Sequence, residues 1–323
     1  MSDMKFKKDA THILKRYEGN PILHVDDFPG VGQIYNPSVV KYNDEFIMLV
    51  SVVDYAAEGG GTDVGQTRIA RSKDGIHFEL SDKNFIKMPD KEPFNMTKHF
   101  IDNRISKIDD TYYIVTPVMM RDDYLSPVGM LGKTKDFESY EAMGIITAPR
   151  NRGASIFPGK INGKYYKLDR PYDYPSSSSG EIWISESPDL IHWGNFRPVI
   201  RQGYKFWNTV KIGPTPAIKT DKGWLEIIHG CAATAGGTYY YVGAMLLDLN
   251  EPWKIIGKTS SYLLMPEKEY ELHGNSDNTV FPCCPLADYE TDTLYLYYGA
   301  ADRAIGLATG SLSEIVEACI EEI

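Results

Sequence analysis

One hairpin pattern recurs five times along the chain. Each copy has an apolar strand, a polar turn of two to four residues and a second strand rich in aromatic residues. Turns such as Asn-Gly, Asp-Asp and Asp-Lys-Gly favour hairpins because these residues tolerate positive φ angles. The five copies are residues 39–50, 105–115, 159–168, 217–228 and 286–297.

A second pattern follows the first three hairpins. It reads Ser/Thr-x-Asp-x₃-aromatic, and each copy comes after a short strand-like segment. The copies are residues 72–78, 134–140 and 187–193, with a looser version at 250–253. The pattern predicts a tight turn between the third and fourth strands of one sheet.

The two patterns together predict five four-stranded antiparallel sheets. Radial repetition of such sheets makes a β-propeller, so we expect an all-β, five-bladed fold. A pair of β-sandwiches is the alternative, but it does not require a fivefold pattern. Only residues 312–320 have helical spacing. We find no domain boundary and expect one domain over residues 1–323, with an N-terminal extension over about 1–15 and a C-terminal tail over about 311–323.

Composition narrows the possible functions. The 323 residues carry a net charge of −10 and a pI near 5.2, whereas nucleic-acid-binding proteins present basic surfaces. The N-terminus lacks an apolar signal-peptide core, and no run approaches the roughly 18 apolar residues of a membrane span. The four cysteines lack metal-site spacing, so free thiols are the better interpretation. These features predict a cytoplasmic protein that binds neither nucleic acid nor membranes.

Polar residues precede or begin the innermost strand of each expected blade. In a propeller these strands line the central axis, so their polar residues face one shared funnel. Residues 99–105 place Asp102 beside the amide of Asn103 and the guanidinium of Arg104 within an otherwise apolar run. The corresponding polar segments are 35–38, 101–104, 152–158, 211–216 and 277–282. They predict an axial site in which Asp102 is the natural proton donor.

Cations outnumber carboxylates among the axial candidates. Arg152 and Lys211 stand at strand starts, and Arg170 and His229 follow further along. A common glycosidase needs two carboxylates, and the second is less obvious here than the cations. Such cations bind an oxyanion such as phosphate through charge-assisted hydrogen bonds. Taken singly, Arg170 could instead pair with a neighbouring acid, and His229 could be a satisfied core histidine.

A set of motifs spans nearly the whole chain, from Arg16 to Ala308. The motifs are Asp102-x-Arg104, His229-Gly230 and residues 151–158, 161–165, 211–213, 246–252, 281–283 and 297–302. Taken together and in this order, they resemble glycoside hydrolase family 130. That family has a five-bladed β-propeller fold, which the repeats indicate independently. Most of its members are β-mannoside phosphorylases, and a smaller group are β-mannosidases.

The resemblance implies an inverting phosphorolysis. Asp102 would be the proton donor, acting through a hydroxyl of the mannosyl unit. Phosphate would attack the anomeric carbon from the opposite face and give α-mannose 1-phosphate. Phosphate would be a co-substrate, with no metal and no further cofactor. The implied phosphate-binding residues are Arg152, Arg170, Lys211, His229 and Tyr240.

The resemblance also implies sugar contacts at Asn36 and Asp302. We add Asn103 and Arg104 to the expected substrate-binding residues, together with Asp54. Two positions depart from the family pattern. Asn103 replaces the usual proline of Asp-Pro-Arg, and Ser51 stands where many members carry a sugar-binding arginine, a role that Asp54 would partly take over.

Two other functions compete with the phosphorylase. One is a β-mannosidase of the same family, which the full set of phosphate-binding residues disfavours. The other is a non-catalytic carbohydrate-binding propeller, which has no need of an acid beside four cations. The expected partners are a β-mannoside and phosphate, with a possible homo-oligomer. Linkage, acceptor sugar and oligomeric state stay open, and we expect the loops 54–65 and 172–180, or a neighbouring subunit, to build the acceptor subsites.

Overall fold

The computed structural model describes residues 10–55, 64–120, 123–172 and 180–320. Its strands form five antiparallel sheets, one after another along the chain. The protein is therefore an all-β, five-bladed β-propeller, as the repeats predicted. Short 3₁₀ helices cover Ala10–His12, Val25–Asp27, Phe94–Met96 and Phe206–Asn208.

The strands are numbered in chain order. Before the first blade come β1, Lys15–Arg16, and β2, Leu23–His24. Blade 1 contains β3, Val31–Tyr42, β4, Glu45–Asp54, β5, Gln66–Ser72, and β6, Glu79–Asn84. Blade 2 contains β7, Thr97–Lys98, β8, Arg104–Ile108, β9, Thr111–Met120, β10, Asp123–Thr134, and β11, Glu141–Ile145. Blade 3 contains β12, Ser155–Ile156, β13, Tyr165–Asp169, β14, Ile182–Ser187, and β15, Gly194–Ile200.

The last two blades follow the same plan. Blade 4 contains β16, Lys211–Gly213, β17, Ile218–Lys219, β18, Trp224–Thr234, β19, Gly237–Leu247, and β20, Ile255–Lys258. Blade 5 contains β21, Val280–Pro282, β22, Leu286–Asp288, β23, Thr293–Ala300, and β24, Ala304–Ser311. Two α-helices flank blade 5 in sequence: α1, Glu269–Leu272, and α2, Leu312–Ile320.

Apolar side chains fill the space between neighbouring blades. In β4, Ile47 and Leu49 pack towards Ile114 of blade 2, whereas Met48 and Val50 belong to the cluster shared with blade 5. Both faces of this strand are buried because successive side chains point to opposite faces of a sheet. Full burial of one such side chain stabilises the fold by about 1.5–3 kcal/mol. The continuous apolar run in β4 is thus explained by its two buried faces.

The turns form where the sequence patterns placed them. Asn162 and Gly163 both have positive φ in the turn before β13, as an Asn-Gly hairpin requires. In the turn between β5 and β6, the Ser72 hydroxyl accepts a hydrogen bond from the Gly75 backbone at 3.0 Å. Asp74 accepts from the next two backbone N–H groups at 2.9 Å each. The same arrangement recurs in blades 2 and 3, so these turns between third and fourth strands are confirmed.

The innermost strand of most blades is interrupted. In blades 2, 4 and 5 it consists of two pieces that pair with the same second strand. In blade 1 the register of β3 shifts between Tyr35 and Ser38. Asp102 lies in the interruption of blade 2, between β7 and β8. These breaks remove the backbone from regular pairing near the axis and allow side chains there to point into a common space.

Strands from both ends of the described chain complete blade 5. β1 pairs with β24, with Lys15 opposite Thr309, and β2 pairs with the same strand. Residues from Ala10 onward are therefore part of the blade architecture and not a loose extension. Helix α2, which the sequence predicted, buries Ile315 and Cys319 in a core cluster with Ile13. A single domain over residues 1–323 stays a prediction.

Candidate active site

A cavity of about 320 Å³ opens near the axis, where the innermost strands converge. Eight of the eleven residues proposed from the sequence line it. They are Asn36, Asp102, Arg104, Arg152, Arg170, Lys211, Tyr240 and Asp302. His229, Asn103 and Asp54 do not line it, each for a different reason given below.

Asp102 is held from three sides. Its backbone N–H donates to the Ser51 hydroxyl at 3.0 Å, and its Oδ1 accepts from Asn36 Nδ2 at 2.6 Å. Its Oδ2 accepts from Arg152 Nη2 at 2.8 Å and Nε at 3.2 Å. Asp102 also has a positive φ of 53°, a conformation uncommon outside glycine. The surrounding contacts thus fix one carboxylate in a single orientation at the cavity wall.

The charge state of Asp102 follows from these contacts. Burial opposes ionisation, because the residue is only 3% exposed. The charges of Arg152 and Arg104 and the Asn36 hydrogen bond outweigh that effect, so the pKa of Asp102 lies below its usual range. In the unliganded pocket Asp102 is therefore a carboxylate.

Asn103 and Arg104 support this carboxylate from behind. Arg104 Nη1 donates to the Asp102 carbonyl at 2.5 Å, and its guanidinium lies over the Phe281 ring. Asn103 is fully buried and turned away from the cavity, since its amide donates to Thr67 and accepts from Thr116 at 2.8 and 2.7 Å. The expectation that Asn103 binds substrate is therefore corrected. Its amide links blades 1 and 2, which accounts for an asparagine at this position.

Asp54 is likewise outside the cavity. It ends β4, one strand away from the axis, and its side chain is 49% exposed. Its carboxylate pairs with Arg68 of the adjacent strand at 2.6 Å. The expectation that Asp54 substitutes for a sugar-binding arginine is therefore corrected. Ser51, which stands at that arginine's position, instead anchors the backbone of Asp102.

Four side chains from blades 3 and 4 form the cationic wall of the cavity: Arg152, Arg170, Lys211 and Tyr240. Lys211 Nζ donates to the Tyr240 hydroxyl at 2.6 Å, and Arg170 Nε donates to the Arg152 carbonyl at 2.7 Å. Arg170 Nη1 is buried and has no hydrogen-bond partner among the described residues. A buried donor without a partner costs about 1–3 kcal/mol. This wall is thus built to donate hydrogen bonds to something other than protein.

Crowding of like charges shifts these groups. Burial and the neighbouring Arg170 lower the pKa of Lys211 to about 7. Burial and Arg152 lower the pKa of Arg170 to about 10. Burial raises the pKa of Tyr240 to about 12. An anion bound between these groups would relieve their mutual repulsion.

His229 lies behind this wall. It is on β18 opposite Gly213, and a Cβ added to Gly213 would lie 2.2 Å from its ring. Both ring nitrogens are buried and without hydrogen-bond partners in the described part of the chain. Burial and the surrounding cations lower its pKa well below the ordinary value, so the ring is neutral. It packs on Phe281 with centroids 4.5 Å apart, and a direct contact with phosphate stays a prediction.

Asp302 supplies a second carboxyl group to the cavity. Burial and the charge of Asp102 raise its pKa to about 7. Sequence reasoning placed Asp302 as a sugar contact and did not foresee this pairing of two carboxyl groups. Asp302 is the second residue after β23 and has a positive φ of 55°, and no local sequence pattern shows that this turn reaches the axis.

Several lining residues were not proposed from the sequence. They are Gln33, Tyr35, His99, Ile101, Ser276, Thr279 and Phe281. Tyr35, His99 and Phe281 lie within or beside segments that the sequence singled out, so proximity to those segments was the available signal. Most of the loops expected to build acceptor subsites, residues 56–63 and 173–179, lie outside the described residues.

Other expectations concern location and metals. No helix in the described ranges is both long and apolar enough to cross a bilayer. Within those ranges, no group of three or more His, Cys, Asp or Glu residues has metal-binding geometry. All four cysteines are buried, and none of them forms a disulfide. Cytoplasmic location, independence from metals and oligomeric state stay predictions.

The fold agrees with the comparison to known proteins. The family-wide sequence model described as β-1,4-mannooligosaccharide phosphorylase matches residues 5–321. The chain belongs to glycoside hydrolase family 130, and it is therefore an enzyme. A non-catalytic binding propeller is therefore excluded.

Particular relatives show what this chain is similar to. It is 33% identical to the β-1,4-mannooligosaccharide phosphorylase of Ruminococcus albus, over 96% of this chain and 91% of that protein. It is 40% identical to the β-1,2-mannobiose phosphorylase of Listeria innocua, over 79% of this chain and 69% of that protein. A solved structure of β-1,2-mannobiose phosphorylase from Listeria innocua with β-1,2-mannobiose superposes with a TM-score of 0.83 at 31% identity. That superposition covers 95% of this chain and 99% of the other.

Proposed function

We propose that the protein is an inverting phosphorylase that cleaves a β-mannoside with inorganic phosphate to give α-mannose 1-phosphate. The observation that carries the proposal is the cationic wall of Arg152, Arg170 and Lys211 facing one ionised carboxylate, Asp102. Phosphate fits such a wall because guanidinium groups donate paired hydrogen bonds to its oxygens. The curated relatives are named as phosphorylases of β-mannosides, which supports the same reaction.

The proposed reaction is a single displacement. A phosphate oxygen forms a bond to the anomeric carbon while the bond from that carbon to the glycosidic oxygen breaks. The departing oxygen takes a proton that originates from Asp102, relayed by a hydroxyl of the mannosyl unit. Asp102 takes up this proton from solvent when phosphate binds and is a carboxylate again after the transfer, while the proton that hydrogen phosphate carried passes to solvent as the product leaves. Attack from the face opposite the leaving group inverts the β-configuration to α.

An acid must carry a proton before it can donate one, and unliganded Asp102 does not. Its main stabilising partner is Arg152, which also belongs to the cationic wall. Phosphate that draws on the Arg152 charge would weaken this pair and raise the pKa of Asp102. The proton donor would thus become competent only when the nucleophile is present, and hydrolysis by stray water would be disfavoured.

A β-mannosidase is the second candidate, because Asp302 places another carboxyl group in the cavity. Inverting hydrolysis needs one carboxyl as acid and one carboxylate as base. With a pKa of about 7, Asp302 is half protonated at neutral pH. A hydrolase also gives no use to the unpartnered donor of Arg170. This unpartnered donor favours phosphorolysis over hydrolysis.

The deciding experiment supplies β-1,4-mannobiose and β-1,2-mannobiose separately, with and without phosphate, and follows products by ³¹P and ¹H NMR. We expect α-mannose 1-phosphate only when phosphate is present, from one linkage in clear preference. Free mannose released at equal rates without phosphate would instead identify a β-mannosidase. Asp102→Asn should lower turnover by roughly 10²–10⁴-fold, whereas Asp221→Asn, in an exposed turn of blade 4, should not.

A further inference from the structure

His99 has a fixed tautomer. The backbone N–H of Gly65 donates to His99 Nδ1 at 2.9 Å. A backbone N–H can only donate, so Nδ1 carries a lone pair there. Burial and the nearby charge of Arg152 lower the pKa of His99, which keeps the ring neutral. The single ring proton therefore lies on Nε2.

The Nε2–H group of His99 can donate a hydrogen bond to a ligand in the cavity. His99 lines the cavity wall, and within the described ranges no protein group hydrogen-bonds to Nε2. The ring is also held tightly. A Cβ added to Gly65 would lie 3.1 Å from His99 Cε1 and 2.4 Å from Ile101. His99 itself has a positive φ of 64°, a conformation that the Phe100 to Gly65 backbone hydrogen bond helps to fix.

His99 lines the cavity from a different blade than the residues of the cationic wall. The wall comes from blades 3 and 4, whereas His99 belongs to blade 2 and its neighbours Gly65 and Tyr35 belong to blade 1. The charges of both Arg152 and Asp102 act on His99, so the imidazole lies close to the proposed proton donor. In a displacement with inversion, the side opposite the nucleophile faces the leaving group.

We infer that His99 is a specificity-determining residue, and that its Nε2–H donates a hydrogen bond to a hydroxyl of the leaving sugar. The inference rests on the proposed function for the placement of phosphate on the cationic wall. A neutral imidazole presents one donor in one direction, so it favours acceptor sugars whose hydroxyl lies in that direction. Sugars lacking this hydroxyl, or presenting it in the other configuration, leave the donor without a partner and bind less well.

His99→Asn is the matched variant. Asparagine tolerates positive φ, and its side-chain oxygen can accept the Gly65 hydrogen bond, while no donor reaches the position of Nε2. His99→Gln returns an amide N–H towards that position. His192→Asn changes an exposed histidine in a turn of blade 3 and is the control.

The experiment measures synthesis from α-mannose 1-phosphate and mannose, with KM determined separately for donor and acceptor. For His99→Asn we expect the acceptor KM to rise about three- to tenfold, as the loss of one hydrogen bond predicts, with the donor KM unchanged. His99→Gln should recover part of that loss. One of the monodeoxy mannoses should be a poorer acceptor than mannose for the wild type. For His99→Asn, the same monodeoxy mannose should be as good an acceptor as mannose. Equal changes in both KM values, or an unchanged acceptor KM, would overturn the inference.

A binding measurement separates this inference from the proposed function. Calorimetry compares wild type and His99→Asn for each mannobiose in the absence of phosphate. If no phosphorolysis is found but His99→Asn binds the disaccharide more weakly, the proposed function fails and the leaving-sugar contact stands. If phosphorolysis is found and the variant binds and reacts like the wild type, the contact fails and the proposed function stands.

Discussion

Two charged regions meet on blade 3 and differ in how completely they are paired. Asp169, the last residue of β13, is fully buried and forms an ion pair with Lys167. Its carboxylate also accepts from Asn151 at 2.9 Å and Ser185 at 2.8 Å. Arg170 is the next residue, and one of its buried donors has no partner in the described residues. Asp169 thus belongs to a network of buried charges that are fully paired, which we call the closed network. Arg170 belongs to the cationic wall, in which a buried donor is unpaired, and we call that wall the open network.

The difference separates structural charges from ligand-binding charges. Lys167 is neutralised by Asp169 and lies 5.0 Å from the centroid of the Trp193 ring, so its environment is complete without a ligand. The cationic wall has three cations against one carboxylate, and burial together with Arg170 lowers the pKa of Lys211 to about 7. Buried charge alone therefore does not mark a site. Unpaired buried charge that faces a cavity does.

The largest expected effect comes from breaking the closed network. Lys167→Met leaves Asp169 buried without its cation, which should lower the free energy of unfolding by about 3–5 kcal/mol. Urea denaturation measures the change. Lys164→Met, which removes an exposed pair with Glu186 on the same blade, should have little effect because solvent screens such pairs. Equal losses from both variants would contradict the comparison.

Phosphate should stabilise the open network. At phosphate concentrations about 100 times the dissociation constant, binding to the native state adds about 2.7 kcal/mol. We expect the melting temperature to rise with phosphate in wild-type protein and in Lys167→Met alike, but not with chloride at equal ionic strength. If phosphate leaves the wild-type melting temperature unchanged, the cationic wall is not a phosphate-binding site.

Lys211→Met should weaken phosphate binding without lowering the stability of the unliganded protein. Loss of one charge-assisted hydrogen bond should raise the phosphate KM about 10- to 100-fold. The unliganded protein should not be destabilised, because the variant removes a desolvated cation beside Arg170. Kinetics and urea denaturation measure the two effects, with Lys219→Met on the exposed side of β17 as control. A variant that loses stability but keeps its phosphate KM would place Lys211 with the closed network.

The smallest effect, taken per pH unit, is a pH dependence of stability. Lys211 has a folded-state pKa of about 7, below the unfolded value near 10.5. Between these values the unfolded chain holds a proton that the folded protein lacks, so stability rises with pH in this window. The unfolding free energy of wild type minus that of Lys211→Met should rise by up to about 1.4 kcal/mol per pH unit above pH 7. A difference that is flat or falls with pH would contradict the low pKa.

Local chemistry made the fold predictable. Hairpins and turns depend on a few adjacent residues, such as Asn162 and Gly163 or Ser72 and Asp74, so the five blades were visible in the sequence. The starts of the inner strands then located the axis. The β3 segment is an exception, since that strand begins at Val31 and reaches the axis through a bulge beside Asn36.

Contacts between blades were not predictable. Asn103 bonds to Thr67 of blade 1, and Ser51 anchors Asp102 across the same boundary. Whether a polar residue faces the cavity or the neighbouring blade depends on the position of that blade. A single sequence does not give the relative positions of blades. The same reason explains why Asp54 was expected in the site although Arg68 holds it outside.

The pairing of β1 and β2 with β24 has a consequence for synthesis of the protein. The outer edge of blade 5 is completed by β1 and β2, which are synthesised well before β24. The early segment must therefore wait for its partner, and such distant pairing slows folding. Until it forms, β24 presents an unpaired edge to other chains. Nascent protein is thus most open to aggregation just before the ring closes.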